Sequence, residues 1–94
     1  MLSLSPTELA KVKKEEKDKE ILRLGMIAEL DAVSLYEQLA AETDNKDIKK
    51  ILLDIAKEEK THMGEFQTLL LREDKEQAAE LDNAWKEVKE KIEK

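Results

Sequence analysis

Apolar residues recur at helical spacing in three separate stretches of this chain. In the first, Leu22, Met26, Glu29, Val33, Tyr36 and Ala40 alternate at four and three residues, which lines them along one helix face. The second carries Ile48, Leu52, Ile55, Glu59, His62, Phe66 and Leu69 in the same alternation, a coiled-coil-like seam with two polar members. The third stripe is Ala78, Leu81, Trp85, Val88 and Ile92. Local signals place the ends. Ser5-Pro6-Thr7-Glu8 reads as a capping box with proline at the first helical position, so a helix is expected from there to about Thr43. Its opening half, Lys11 to Glu20, is almost all charge and is expected to lie in solvent or fray, having little apolar surface to dock. Thr43-Asp44-Asn45-Lys46-Asp47 offers turn and cap chemistry in a connection short enough to make the next helix, about Lys46 to Arg72, antiparallel. Asp74 with Gln77 three residues later predicts a third helix reaching the C-terminus. The pattern predicts an all-α chain: an antiparallel two-helix hairpin plus a C-terminal helix, a single domain over 1–94.

Composition adds the expectation of self-association. With 94 residues, 43% charged and 3% aromatic, a lone chain buries little surface. Two glycines and one proline fit long helices and make strands improbable. The net charge of −6 argues against nucleic acid and anionic membranes as partners, and a surplus of carboxylates suits cations. The absence of cysteine excludes disulfides, thiolate metal sites and cysteine catalysis. No apolar run is long enough for a signal or transmembrane segment, so the expected location is the cytoplasm. There is no glycine-rich phosphate loop.

The chemistry lies in the polar members of the stripes. Glu59-Lys60-Thr61-His62 is a Glu-x-x-His, which puts a carboxylate and an imidazole one turn apart on one face, within reach of one metal ion. In a glutamate-rich chain that motif is weak by itself, but both residues sit mid-seam, where an unpaired charge costs several kcal/mol. Glu29 is the matching irregularity on the first helix. Folding the hairpin about residues 44 to 46 pairs positions whose numbers sum to about 90, which sets Glu29 level with Glu59 and His62. One chain thus holds two carboxylates and one imidazole, half of the donor set of a di-iron carboxylate four-helix bundle. A twofold dimer would supply the other half. Mixed oxygen and nitrogen ligation suits Fe(II), Mn(II) or Zn(II), and oxygen chemistry selects iron.

These residues resemble the encapsulated ferritins, small ferritin-like proteins that work inside encapsulin nanocompartments. Ile27-Ala28-Glu29-Leu30-Asp31-Ala32 with Tyr36, and Glu58-Glu59-Lys60-Thr61-His62, carry the resemblance, which spans about Ile21 to Trp85. It implies that Glu29, Glu59 and His62 are ferroxidase ligands and that Tyr36 sits beside them. The family's acidic metal-admitting cluster is partly kept, with Ala28 at one expected carboxylate and Asp31 as a shortened second. The resemblance further implies a ferritin-like four-helix bundle made by a homodimer, a ring-shaped homodecamer, oxidation of Fe(II) to Fe(III) by O2 at a dimer-interface di-iron centre, and iron storage in an encapsulin shell. Members reach the shell through a docking peptide or by fusion to the shell protein. Glu87 to Lys94 reads as a charged helix without such a peptide, which leaves a domain cut from a fusion or a different mode of recruitment.

Plainer readings stand beside these. Glu59 and His62 can be a polar pair that fixes register in a non-catalytic oligomerisation or cargo-adaptor module. Tyr36 can be a core aromatic with a satisfied hydroxyl. Asp31, Glu58 and Glu65 lie off the seam and read as surface charges, Met26 and Met63 as core filler. Trp85 is expected to anchor the third helix on a neighbour, and Gly25 and Gly64 to mark close approach by another helix. A rubrerythrin-like peroxidase is disfavoured, because the chain has neither cysteine for a rubredoxin-type centre nor a second Glu-x-x-His.

Overall fold

The computed structural model describes residues 9–93. A 3-10 turn at Leu9–Lys11 precedes three helices: α1, Lys14–Glu42; α2, Lys46–Glu73; and α3, Lys75–Ile92. The capping box at Ser5–Glu8 lies outside the described residues. A single helix from there to Thr43 does not form, because Lys13 takes an extended conformation (φ −59, ψ 143) between the turn and α1. Without a side-chain cap, α1 begins with Glu15 and Glu16 in its first turn, where negative charge opposes the helix dipole. The charged stretch is helical from Lys14 onward and largely solvent-facing, with Lys19 bonded to Glu16 at 3.5 Å.

The hairpin turn follows its side-chain chemistry. Asn45 Oδ1 accepts the backbone N–H groups of Asp47 and Ile48 at 3.0 and 3.1 Å, satisfying donors that open α2, while Thr43 Oγ1 accepts the Asn45 N–H. The α1 stripe is as expected: Val33 and Ala40 are buried, and Leu22, Met26, Glu29 and Tyr36 are half-buried. On α2 the expected seam is rotated. The deepest positions are Ala56 and Leu70, whereas Ile48 and Leu69 are exposed. The row turned to α1 is therefore Leu52, Ala56, Glu59, Met63, Phe66 and Leu70, and Ile48, Ile55, His62 and Leu69 lie on its flank. Both rows share Leu52, Glu59 and Phe66, so four-three spacing cannot separate them. Gly25 has its reason inside the chain: a Cβ there would stand 3.0 Å from three atoms of the Phe66 ring.

A radius of gyration of 16.7 Å exceeds the roughly 12 Å of a compact chain this size. The excess reflects the length of the hairpin, whose helices have 29 and 28 residues, together with α3, which turns away from it and has no buried residue. Its direction is set at Asp74, the one buried polar residue among those described. Asp74 Oδ1 accepts the Gln77 N–H at 2.9 Å and its Oδ2 accepts from Arg23 at 3.0 Å, so one side chain caps α3 and ties it to α1. The Gln77 N–H, aided by Lys19 and Arg23, holds the Asp74 carboxyl below its ordinary value of 3.8. A lowered carboxylate stabilises the fold at pH values above that ordinary value, and the contribution disappears as pH falls through the lower folded one. Acid titration followed by circular dichroism should show the wild type losing stability below about pH 4 more steeply than Asp74→Asn, which keeps the cap without the charge. Parallel acid curves would refute this role.

Candidate metal centre

The register of the hairpin brings three donors together. Glu29 faces α2 from the middle of α1, and Glu59 and His62 stand one turn apart at the same height. One ligand atom from each lies within 4.8 Å of the others, and this is the one such group of His, Asp and Glu residues found among those described. His62 Nδ1 is 3.4 Å from Glu59 Oε2 and 3.6 Å from Glu29 Oε2. These separations are long for hydrogen bonds. They match donors sharing an ion, since two atoms each about 2.1 Å from one metal at near-tetrahedral angles stand roughly 3.4 Å apart.

Glu29 supplies a further sign of fit. Its Oε2 is sealed from solvent and has no hydrogen-bond partner. A buried carboxylate oxygen without a donor is costly, and a cation is the partner that removes the cost without adding a proton. The two carboxylate side chains are about one-fifth exposed, while His62 is 45% exposed. The cluster therefore opens on one side. That side is the flank of α2 bearing exposed Ile48, Ile51 and Leu69, together with exposed Ile21 and Leu39 of α1. Four carboxylates and two imidazoles would meet if a second copy covered it.

Tyr36 is half-buried on the α1 stripe, two turns from Glu29, and is not one of the three clustered donors. Asp31 is half-buried two residues beyond Glu29, about 200° round the helix, and is likewise outside the cluster. Glu58 and Glu65 are exposed. On the opposite face of the hairpin Lys60 bonds Glu37 at 3.3 Å, a cross-helix pair not foreseen from the sequence, as Arg23 with Asp74 was not. Arg23, a cation set among apolar neighbours in mid-helix, is the signal that marks a buried partner.

Comparison with known proteins yields consistent matches. Residues 20–94 match the family model described as Rubrerythrin. The chain is 52% identical over 92 residues to the ferritin-like–encapsulin shell fusion protein of Pyrococcus furiosus, covering 96% of this chain and 27% of that protein. It is 44% identical over 63 residues to the encapsulin nanocompartment cargo protein EncC of Myxococcus xanthus, covering 67% of this chain and 48% of that one. The crystal structure of the encapsulated ferritin domain from Pyrococcus furiosus superposes with a TM-score of 0.84 at 47% identity, covering 97% of each chain. The chain thus spans about a quarter and about half of the two curated relatives. The fold is the all-helical, ferritin-like one expected from the sequence.

Proposed function

The chain belongs to the rubrerythrin family, among its encapsulated ferritins, and on that footing we propose that it oxidises Fe(II) to Fe(III) with O2 at a centre shared by two copies. The observation that carries this reading is the trio of Glu29, Glu59 and His62 within 4.8 Å, with a sealed Glu29 oxygen that nothing in the chain satisfies. Fe(II) is the substrate. Glu29 and Glu59 would hold it through carboxylate oxygens and His62 through imidazole nitrogen, a mixed set suited to a divalent first-row ion that changes valence. Four carboxylates would balance the four positive charges of two Fe(II) ions and favour the more highly charged product over what neutral donors would allow. The protein supplies chiefly geometry, with Val33 and Ala56 packed on one side of the donors and Phe66 on the other keeping the surroundings apolar.

The same reading makes the active unit a homodimer forming a four-helix bundle, with homodecamers built from it, and the iron product passes to storage inside an encapsulin shell. On this reading the chain works in the cytoplasm within that nanocompartment, which is supported by relatives named as an encapsulin shell fusion protein and an encapsulin nanocompartment cargo protein. No helix among the described residues is long and apolar enough to cross a membrane. Tyr36 would stand near the shared centre and Asp31 near the route by which Fe(II) arrives. Titrating metal-free protein with Fe(II) in air tests the proposal. Oxygen uptake should saturate near one Fe(II) per chain, about two per dimer. Wild-type protein that assembles but shows no iron-dependent uptake would leave a structural helical module instead.

A further inference from the structure

The chain has three methionines, and the two beyond residue 1, Met26 and Met63, both stand one helical turn from the metal donors on facing helices. Met26 precedes Glu29 by three residues on α1 and Met63 follows Glu59 by four on α2, spacings that set their Cβ atoms roughly 5–6 Å from those of the donors. Side chains on a helix lean toward its N-terminus, which tips Met63 back toward Glu59 and Glu29 toward Met26. The register that brings Phe66 onto Gly25 sets the two methionines level with each other. They form the layer next to the donors.

Both are half-buried, and both lie on the side away from the open flank. Met63 stands about 100° round α2 from His62, and Met26 reaches the wall of a groove of about 360 Å³ where the three helices meet, beside Leu70 and Leu81. A small molecule that leaves the donors toward this groove passes the two sulfurs. Space-filling alone does not call for methionine here, because leucine holds its rotamer better and occupies comparable inward positions of the same helices at Leu22, Leu52 and Leu70. Sulfur adds reactivity. A thioether takes up one oxygen atom from a peroxide and becomes a sulfoxide, a change that can be reversed.

We infer that Met26 and Met63 are oxidation sites that intercept hydrogen peroxide formed at the donors, an inference that rests on the proposed oxidation of Fe(II) by O2. Two Fe(II) ions each give one electron to O2, which takes up two protons and leaves as hydrogen peroxide. The thioether sulfur attacks one peroxide oxygen: the O–O bond breaks, an S–O bond forms, the sulfur loses two electrons, and the other oxygen departs as water. Proximity selects the sulfurs that react, since a group held beside the source meets an effective concentration far above that of the bulk. Met1, distant in sequence from every donor, serves as the internal reference.

Metal-free protein given a few equivalents of Fe(II) in air, with catalase present to destroy peroxide that escapes, should show the modification by peptide mass, read together with oxygen uptake. Met26 and Met63 should each gain one oxygen, about 16 Da, at least about tenfold faster than Met1. The double variant Met26→Leu, Met63→Leu conserves core volume, so it should keep the wild-type rate of oxygen uptake. Without catalase it should release more peroxide than the wild type, measured with a peroxidase-coupled dye. Normal uptake with Met26 and Met63 unmodified, oxidation shared equally with Met1, or a double variant that is slowed in uptake or releases no more peroxide would overturn the inference and leave the ferroxidase reading standing. A wild type without iron-dependent uptake would remove both, and the oxygen trace tells the two failures apart.

Discussion

Glu59→Ala should abolish iron-dependent oxygen uptake while leaving the hairpin folded. In a centre shared across a twofold axis, one substitution removes two of four carboxylates. Loss of an outer-shell partner alone typically lowers metal affinity or activity by about 10- to 100-fold, so losing a direct donor from both halves should reduce oxidation by roughly a hundredfold or more. The fold has little to lose. Glu59 is about one-fifth exposed, its one close polar contact is His62 at 3.4 Å, and the buried positions of α2 are Ala56 and Leu70. An oxygen electrode and the absorbance of the Fe(III) product would measure the first part, circular dichroism the second. Oxidation at the wild-type rate in the variant would remove Glu59 from the centre and with it the shared-site reading.

A redox-inert ion should show the same site as a stability effect. Zn(II) present at about 100 to 1,000 times its dissociation constant should raise the unfolding free energy by roughly 2.7–4.1 kcal/mol, because it binds the assembled donors and not the unfolded chain. Glu29→Leu should erase that response. It should also leave the metal-free protein no less stable than the wild type, since it replaces a sealed carboxylate oxygen without a partner by apolar surface of similar size. Denaturant unfolding at fixed protein concentration, with and without Zn(II), separates the cases. A wild type indifferent to Zn(II), or a Glu29→Leu variant that responds as strongly, would show that the Glu29 pocket serves something other than a metal.

Much of this was legible one-dimensionally. The turn at Thr43–Asp47, the Asp74 cap with Gln77, and the α1 stripe through Glu29, Val33 and Tyr36 are local features, dictated by side chains acting within a turn or two of helix. The level meeting of Glu29 with Glu59 and His62 was equally legible, because a short antiparallel connection converts sequence distance from the turn into height along the hairpin. The start of α1 was not: the stretch around Lys13 has no strong breaker, and its extended backbone leaves no compositional mark. Nor were Arg23–Asp74 and Glu37–Lys60, ion pairs between residues far apart in the chain.

Periodicity and turn length, which belong to the chain alone, were enough for three helices, the antiparallel order of the first two and the three side chains that share a layer, though not for where α1 begins. The rotation of α2 emerged in the packed hairpin, which turns Ala56, Met63 and Leu70 inward and leaves His62 at an open flank with Ile48 and Leu69. Four-three spacing fits either of two adjacent rows on one helix, and the choice rests on how small residues such as Gly25, Ala40 and Ala56 let two backbones approach. The same packing separated the two glycines, one closed over by Phe66 and the other facing open space, while Asp74, capping α3 and paired with Arg23, turned α3 outward so that its apolar stripe remains exposed.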